Sequence, residues 1–108
     1  MNFKINTEKK IVRILGYGQY IVDNDTLNEI NVIDNTIVKL LESEENDNSI
    51  RLEFERQLAL FDTMVKEKGV VIGPKEIVQS DIVLPSRDIT LEEARNVFKG
   101  EGIIKNIY

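Results

Sequence analysis

The chain has no cysteine, no histidine and no tryptophan, and only two prolines among its 108 residues. Without cysteine it forms no disulfide, carries no thiol nucleophile and offers no thiolate to a metal. Without histidine it lacks both the commonest general base and the commonest metal ligand, which removes most hydrolytic schemes. Carboxylate, lysine and tyrosine chemistry are what remain. Long apolar runs are missing too: no stretch approaches the roughly 18 residues that a membrane span requires. The opening residues, MNFKINTEKK, have lysines but neither an apolar stretch nor a small-residue cleavage site, so they do not read as a signal peptide. A cytoplasmic protein is the expectation.

Positive charge is also in deficit. Fourteen Lys and Arg face nineteen Asp and Glu, a net charge of −5 and a pI near 4.8. That sign opposes general attraction to nucleic acid and argues against direct contact with anionic lipid. What is present is ordinary for a globular protein: 42% hydrophobic and 31% charged residues, at a length that suits one domain.

Residues 1 to 10 are polar and aperiodic and read as a loosely ordered extension, with a short strand allowed at Phe3 to Ile5. From residue 11 onward a single α+β domain is expected. IVRIL and QYIVD are short β-rich runs on either side of GYG, the pattern of a β-hairpin, with Arg13 and Gln19 on faces open to solvent. A helix should begin near Asp25. Thr26 and Glu29 have capping-box spacing, and Asp23, Asn24 and Asp25 are alternative caps. Its stripe is Leu27, Ile30, Ile33, Ile37, Leu40 and Leu41. ESEENDNS is a loop composition, after which Asn48 or Ser49 is placed to cap a second helix over residues 50 to 68. That helix carries Ile50, Phe54, Leu58, Phe61, Met64 and Val65 on one side, with Gly69 just past its end. The two form an antiparallel αα-hairpin. VVIGPKEIV and SDIVLP each allow a short extended piece. Thr90 and Glu93 make a capping box for a C-terminal helix that stops at Gly100. The tail GIIKNIY reads as a strand able to join the N-terminal hairpin as its third member.

Candidate chemistry is sparse. Gly16 and Gly18 begin a G-x-G-x-x-G pattern, but Ile21 holds the third glycine position and a strand follows where a helix is needed. The GYG segment is therefore a turn. Glu42, Glu44, Glu45 and Asp47 lack the ordered spacing of a calcium loop, as do Asp23 and Asp25. Glu92 and Glu93 are adjacent on a helix and point apart, and capping accounts for Glu93. Neither a metal nor a cofactor is expected, and neither is an enzymatic activity. Exposed apolar residues say more. Tyr17 stands at the turn tip, whereas Tyr20 is expected to pack inward. Val32 falls off the stripe of the first helix, and Leu52 and Ala59 off that of the second. Tyr17, Val32 and Leu52 are the candidate partner contacts.

Three blocks, IVRILGYGQYIVD followed by LNEINVID, then QSDIVLPSRDITLEEARNVF, then GEGII, resemble the family associated with phage shock protein A, usually called PspAA. The matching positions are Gly16, Gly18, Gln19 and Tyr20 in the hairpin, and Ser80, Asp81, Leu84 and Pro85 further on. The resemblance implies a non-enzymatic accessory protein of an envelope stress response, partner to a helical, coiled-coil, membrane-remodelling protein. It would then sit in the cytoplasm and reach the inner membrane face through that partner. Two other readings stand beside it. One is a small-molecule-binding or enzymatic domain in which Tyr20, Asp81 or Arg87 converge on a pocket; the other is a self-assembling protein.

Overall fold

The computed structural model describes residues 9–76 and 78–104. Strands β1 (Lys10–Ile14) and β2 (Gly18–Val22) are joined by the Leu15–Tyr17 turn, closed by the Tyr17 N–H donating to the Ile14 carbonyl at 2.9 Å. Gly16 and Gly18 have φ of 91° and 128°, values that L side chains rarely adopt, which is what GYG supplies to the reversal. The pairing sets Val12 opposite Tyr20 and Arg13 opposite Gln19.

Helix α1 (Asn24–Leu41) begins one residue earlier than its periodicity predicts. Asp23 is the cap, its Oδ1 accepting from the Thr26 N–H at 2.9 Å, so Thr26 lies inside the first turn and is buried. That hydrogen bond holds the Asp23 carboxyl below its ordinary value. Helix α2 (Asp47–Lys68) starts three residues ahead of expectation. Asn46 caps it by accepting from Ser49 N–H at 2.9 Å, which makes Ser49 a first-turn residue and not the cap. Lys68 at the far end of α2 reaches Glu29 of α1 at 2.6 Å, and this hydrogen bond raises the lysine above its usual range. Helix α3 (Leu91–Val97) opens with the expected Thr90–Glu93 capping box.

The sheet grows on both sides of the hairpin. Strand β3 (Val70–Val71) pairs antiparallel with β2, and β4 (Ile82–Leu84) pairs parallel with β1, in the order β3-β2-β1-β4. The third and fourth strands thus come from the middle of the chain. Over Gly102–Ile104 the C-terminal segment is not a strand; the Asp34 carboxylate accepts its backbone N–H groups instead, at 3.0 Å from Ile103 and 3.0 Å from Ile104. The remainder of the tail and the Phe3–Ile5 strand lie outside the described residues.

Both helical stripes and one sheet face share one core. Val12, Ile14, Val22, Ile82 and Leu84 meet Leu27, Ile30 and Ile37 of α1 and Phe54, Leu58 and Phe61 of α2. Phe98, just past α3, closes the layer with its ring edge-on to Phe54, centroids 5.9 Å apart. Because β3 and β4 are opposite edges, the 72–81 connector between them crosses from one side of the sheet to the other, and Val78 and Ser80 lie over Gln19 on the face away from the helices. Gln19 marks that crossing. Its register places it on the outer face, yet it is only 6% exposed. Its Nε2 donates to the Val78 carbonyl and to Ser80 Oγ, both at 2.8 Å. The expectation that Gln19 faces solvent is therefore overturned, because a polar residue on a covered face is tolerated once its donors are satisfied.

Candidate functional site at the hairpin tip

The sheet register explains why the two longest sequence blocks belong together. Parallel pairing sets Ile14 beside Leu84, so the turn after β1 and the loop after β4 leave the sheet at the same end. Asp81 fixes that register from the other end. Its Oδ2 accepts from Ile11 N–H and its own N–H donates to the Ile11 carbonyl, each at 2.8 Å. Gln19 to Ser80 is the third tie. Gly16, Gly18, Gln19, Ser80, Asp81 and Leu84 are thus accounted for by turn, register and packing.

Between the turn and the β4–α3 loop lies a cleft of about 350 Å³, bordered by Leu15, Tyr17, Pro85, Arg87 and, on α2, Leu58 and Asp62. Its charged wall is built from three elements. Asp62 is 4% exposed, at the edge of the α2 stripe. Arg87 Nη2, from the β4–α3 loop, donates to Asp62 Oδ2 at 2.8 Å. Lys66, one turn along α2, lies 3.1 Å from Oδ1 but directs its hydrogen bond to Oδ2 at 3.3 Å. Oδ1 therefore has a charge beside it and no hydrogen bond among the described residues. Two cations on one buried carboxylate compensate much of the cost of taking it out of water. The same ammonium sits 3.4 Å from the centroid of the Tyr17 ring, a cation–π contact that pins the hairpin tip to α2.

Tyr17 is 67% exposed while held in this way. Val32 and Leu52 are also exposed, at 65% and 72%, on the outer sides of α1 and α2, and neither borders the cleft. Tyr20 is half-buried against the core, and Asp81 is occupied with Ile11, so the pocket in which Tyr20, Asp81 and Arg87 would converge does not form. Arg87 alone reaches the cleft. Periodicity and motif reading pass over Asp62, and they place Lys66 only as a basic residue in the last turn of the second helix. Their i,i+4 spacing beside Leu58 and Phe61 was the available signal, an acid on the margin of an apolar stripe with a lysine one turn on.

Among the described residues no group of acidic side chains is arranged to hold a metal ion. No helix among them is long and apolar enough to cross a membrane. Comparisons with curated proteins and with solved structures each return no match. The family model described as PspA-associated protein, PspAA, matches residues 10–106, a range that takes in the hairpin and helices α1, α2 and α3. The chain belongs to the PspA-associated protein family.

Proposed function

We propose that this chain is a non-enzymatic accessory protein of a phage-shock-type envelope stress response, binding a PspA-like helical, membrane-remodelling protein. Family membership across residues 10–106 carries the reading, since the family is described by its association with PspA. The chemistry of the chain is in keeping with it. A net charge of −5 suits a basic partner surface better than anionic lipid, so membrane recruitment would run through the partner. Tyr17 at the tip and Val32 and Leu52 on the helical hairpin supply exposed apolar contacts of the kind that helix-on-helix association uses.

Size-exclusion chromatography of the chain mixed with a PspA-like protein tests this directly. Co-elution is expected for the wild type, with weaker association for Leu52→Glu at unchanged melting temperature. Separate elution at high micromolar concentration would sink the reading. The cleft beside Asp62 is the observation that favours a second reading, a small-molecule-binding or enzymatic domain. That alternative predicts a ligand-dependent rise in melting temperature that Asp62→Asn abolishes.

A further inference from the structure

The cleft at the hairpin tip contains an arginine with unused donors. Arg87 commits Nη2 to Asp62, and its Nε and Nη1 donate to no group among the described residues. Its side chain is 58% exposed. The loop carrying it is fastened to α2, because Arg51 donates to the carbonyl oxygens of both Arg87 and Ile89. A guanidinium held at one corner by a buried carboxylate is already oriented, so little rotamer freedom remains to be lost when its other edge takes a second carboxylate. Asp88, on the same rim, is engaged by Ser86 Oγ. Facing Arg87 are Leu15 and Tyr17, two exposed apolar side chains that Lys66 and the turn hydrogen bond keep in place.

We infer that this cleft is a docking subsite for the helical partner. It seats an apolar side chain against Leu15 and Tyr17, and a carboxylate one helical turn away on the free edge of Arg87. The inference rests on the accessory reading above and deepens it to a residue pattern: a leucine-type residue with Asp or Glu at i+3 or i+4 on the partner helix. Although the chain as a whole is acidic and suits a basic partner surface, this cleft does not take a basic side chain, because Arg87 and Lys66 already compensate Asp62 and would repel a third cation.

Two probes of the same shape separate the chemistry from the partner. N-acetyl-leucine and N-acetyl-leucinamide share an apolar body, and only the first carries a carboxylate. In an NMR titration of the full chain, the acid is expected to shift the methyl resonances of Leu15 and Leu84 and the Nε–H of Arg87. The amide should bind about five-fold more weakly, the value of a partly exposed charge-assisted contact. Arg87→Gln should bring the acid down to the level of the amide and leave the amide unchanged. Equal affinity for both probes, no shifts at those resonances, or an Arg87→Gln chain that titrates like wild type would each overturn the subsite.

The partner arm compares Arg87→Gln with Lys75→Gln, which removes an exposed cation from the connector. Only the first should weaken co-elution with the PspA-like protein. Equal binding by the two would overturn the docking role even where the probe binds. Probe binding by a wild-type chain that forms no helical complex would sink the accessory reading and the helical occupant, and leave the carboxylate chemistry of Arg87 standing.

Discussion

Gly102 lies against Asp34 so closely that a Cβ on the glycine would fall inside van der Waals distance of both carboxylate oxygens. Asp34 is fully buried in α1, and its oxygens accept from the next two backbone N–H groups, those of Ile103 and Ile104. The missing side chain is what lets the C-terminal segment reach this carboxylate. Ile104, 4% exposed, then joins the core.

Replacing Gly102 with alanine combines a left-handed backbone (φ 84°) with that collision. The expected loss is about 2–4 kcal/mol, the sum of a left-handed penalty and an overpacking penalty. Asp34→Asn should cost about 2–3 kcal/mol, since one N–H would then face an amide N–H₂ in a buried site. Urea unfolding of the two variants measures both, and a loss below 0.5 kcal/mol for either, on the scale of a neutral surface change, would contradict the latch.

Gly69 and Gly73 form a matched pair. Gly69 ends α2 with an extended backbone, so its need for glycine is spatial. An added Cβ would lie 2.6 Å from the Val65 carbonyl oxygen and 3.1 Å from Tyr20 Cβ. Nothing stands within 4 Å of a Cβ on Gly73. Gly69→Ala should therefore destabilise by about 1–3 kcal/mol. Gly73→Ala should be neutral or stabilise by up to about 1 kcal/mol through the unfolded chain. Thermal melts of both show whether the order holds.

The part-buried Gln19–Ser80 hydrogen bond predicts coupling. Gln19→Ala should cost about 1–3 kcal/mol, because the Val78 carbonyl and Ser80 Oγ both lose their donor. Ser80→Ala alone should cost less, about 0.5–1.5 kcal/mol, with the Val78 contact intact. In a double-mutant cycle by denaturant unfolding, the two losses should fall short of additive by at least about 0.5 kcal/mol. Strict additivity would mean that the pair is not made.

Asp23 makes stability depend on acid. Its folded-state pKa is depressed below 3.8, chiefly by the hydrogen bond from Thr26 N–H. Its contribution is therefore fully present above the unfolded value and is lost as pH falls through the lower folded value. Asp23→Ala should lose about 1 kcal/mol at pH 7, as for other helix caps. The gap to wild type should narrow below about pH 4, where the carboxylate of the unfolded chain takes up its proton. Asp23→Asn, whose amide does not titrate, should keep its cap through that range. Melts from pH 7 to pH 2 check the three curves against one another.

Much of this was legible in short windows of sequence. The Thr90–Glu93 box, the stripes of α1 and α2, the turn at Gly16–Gly18 and the exposure of Tyr17, Val32 and Leu52 each depend on residues within a few positions. The starts of both long helices were less legible. Several cap residues stood in a row, and only the side-chain bonds of Asp23 and Asn46 choose among them. The charged wall of the cleft was not legible. Asp62 reads as one more acid on a helix until Arg87, 25 residues on, folds against it.

By itself, the sequence determined the helices, the hairpin, the acidic surface and the absence of cysteine and histidine chemistry. All of these are local or compositional, set by hydrogen bonds and apolar spacing within one or two turns. Only the tertiary structure decided that β4 lies parallel to β1, that Gln19 is covered by the connector and that the C-terminal segment is latched to Asp34. Gln19 meets Ser80 across 61 residues and Asp34 meets Ile104 across 70. Contacts of that span are chosen by which arrangement leaves the fewest buried polar groups unsatisfied, a property of the whole packed chain.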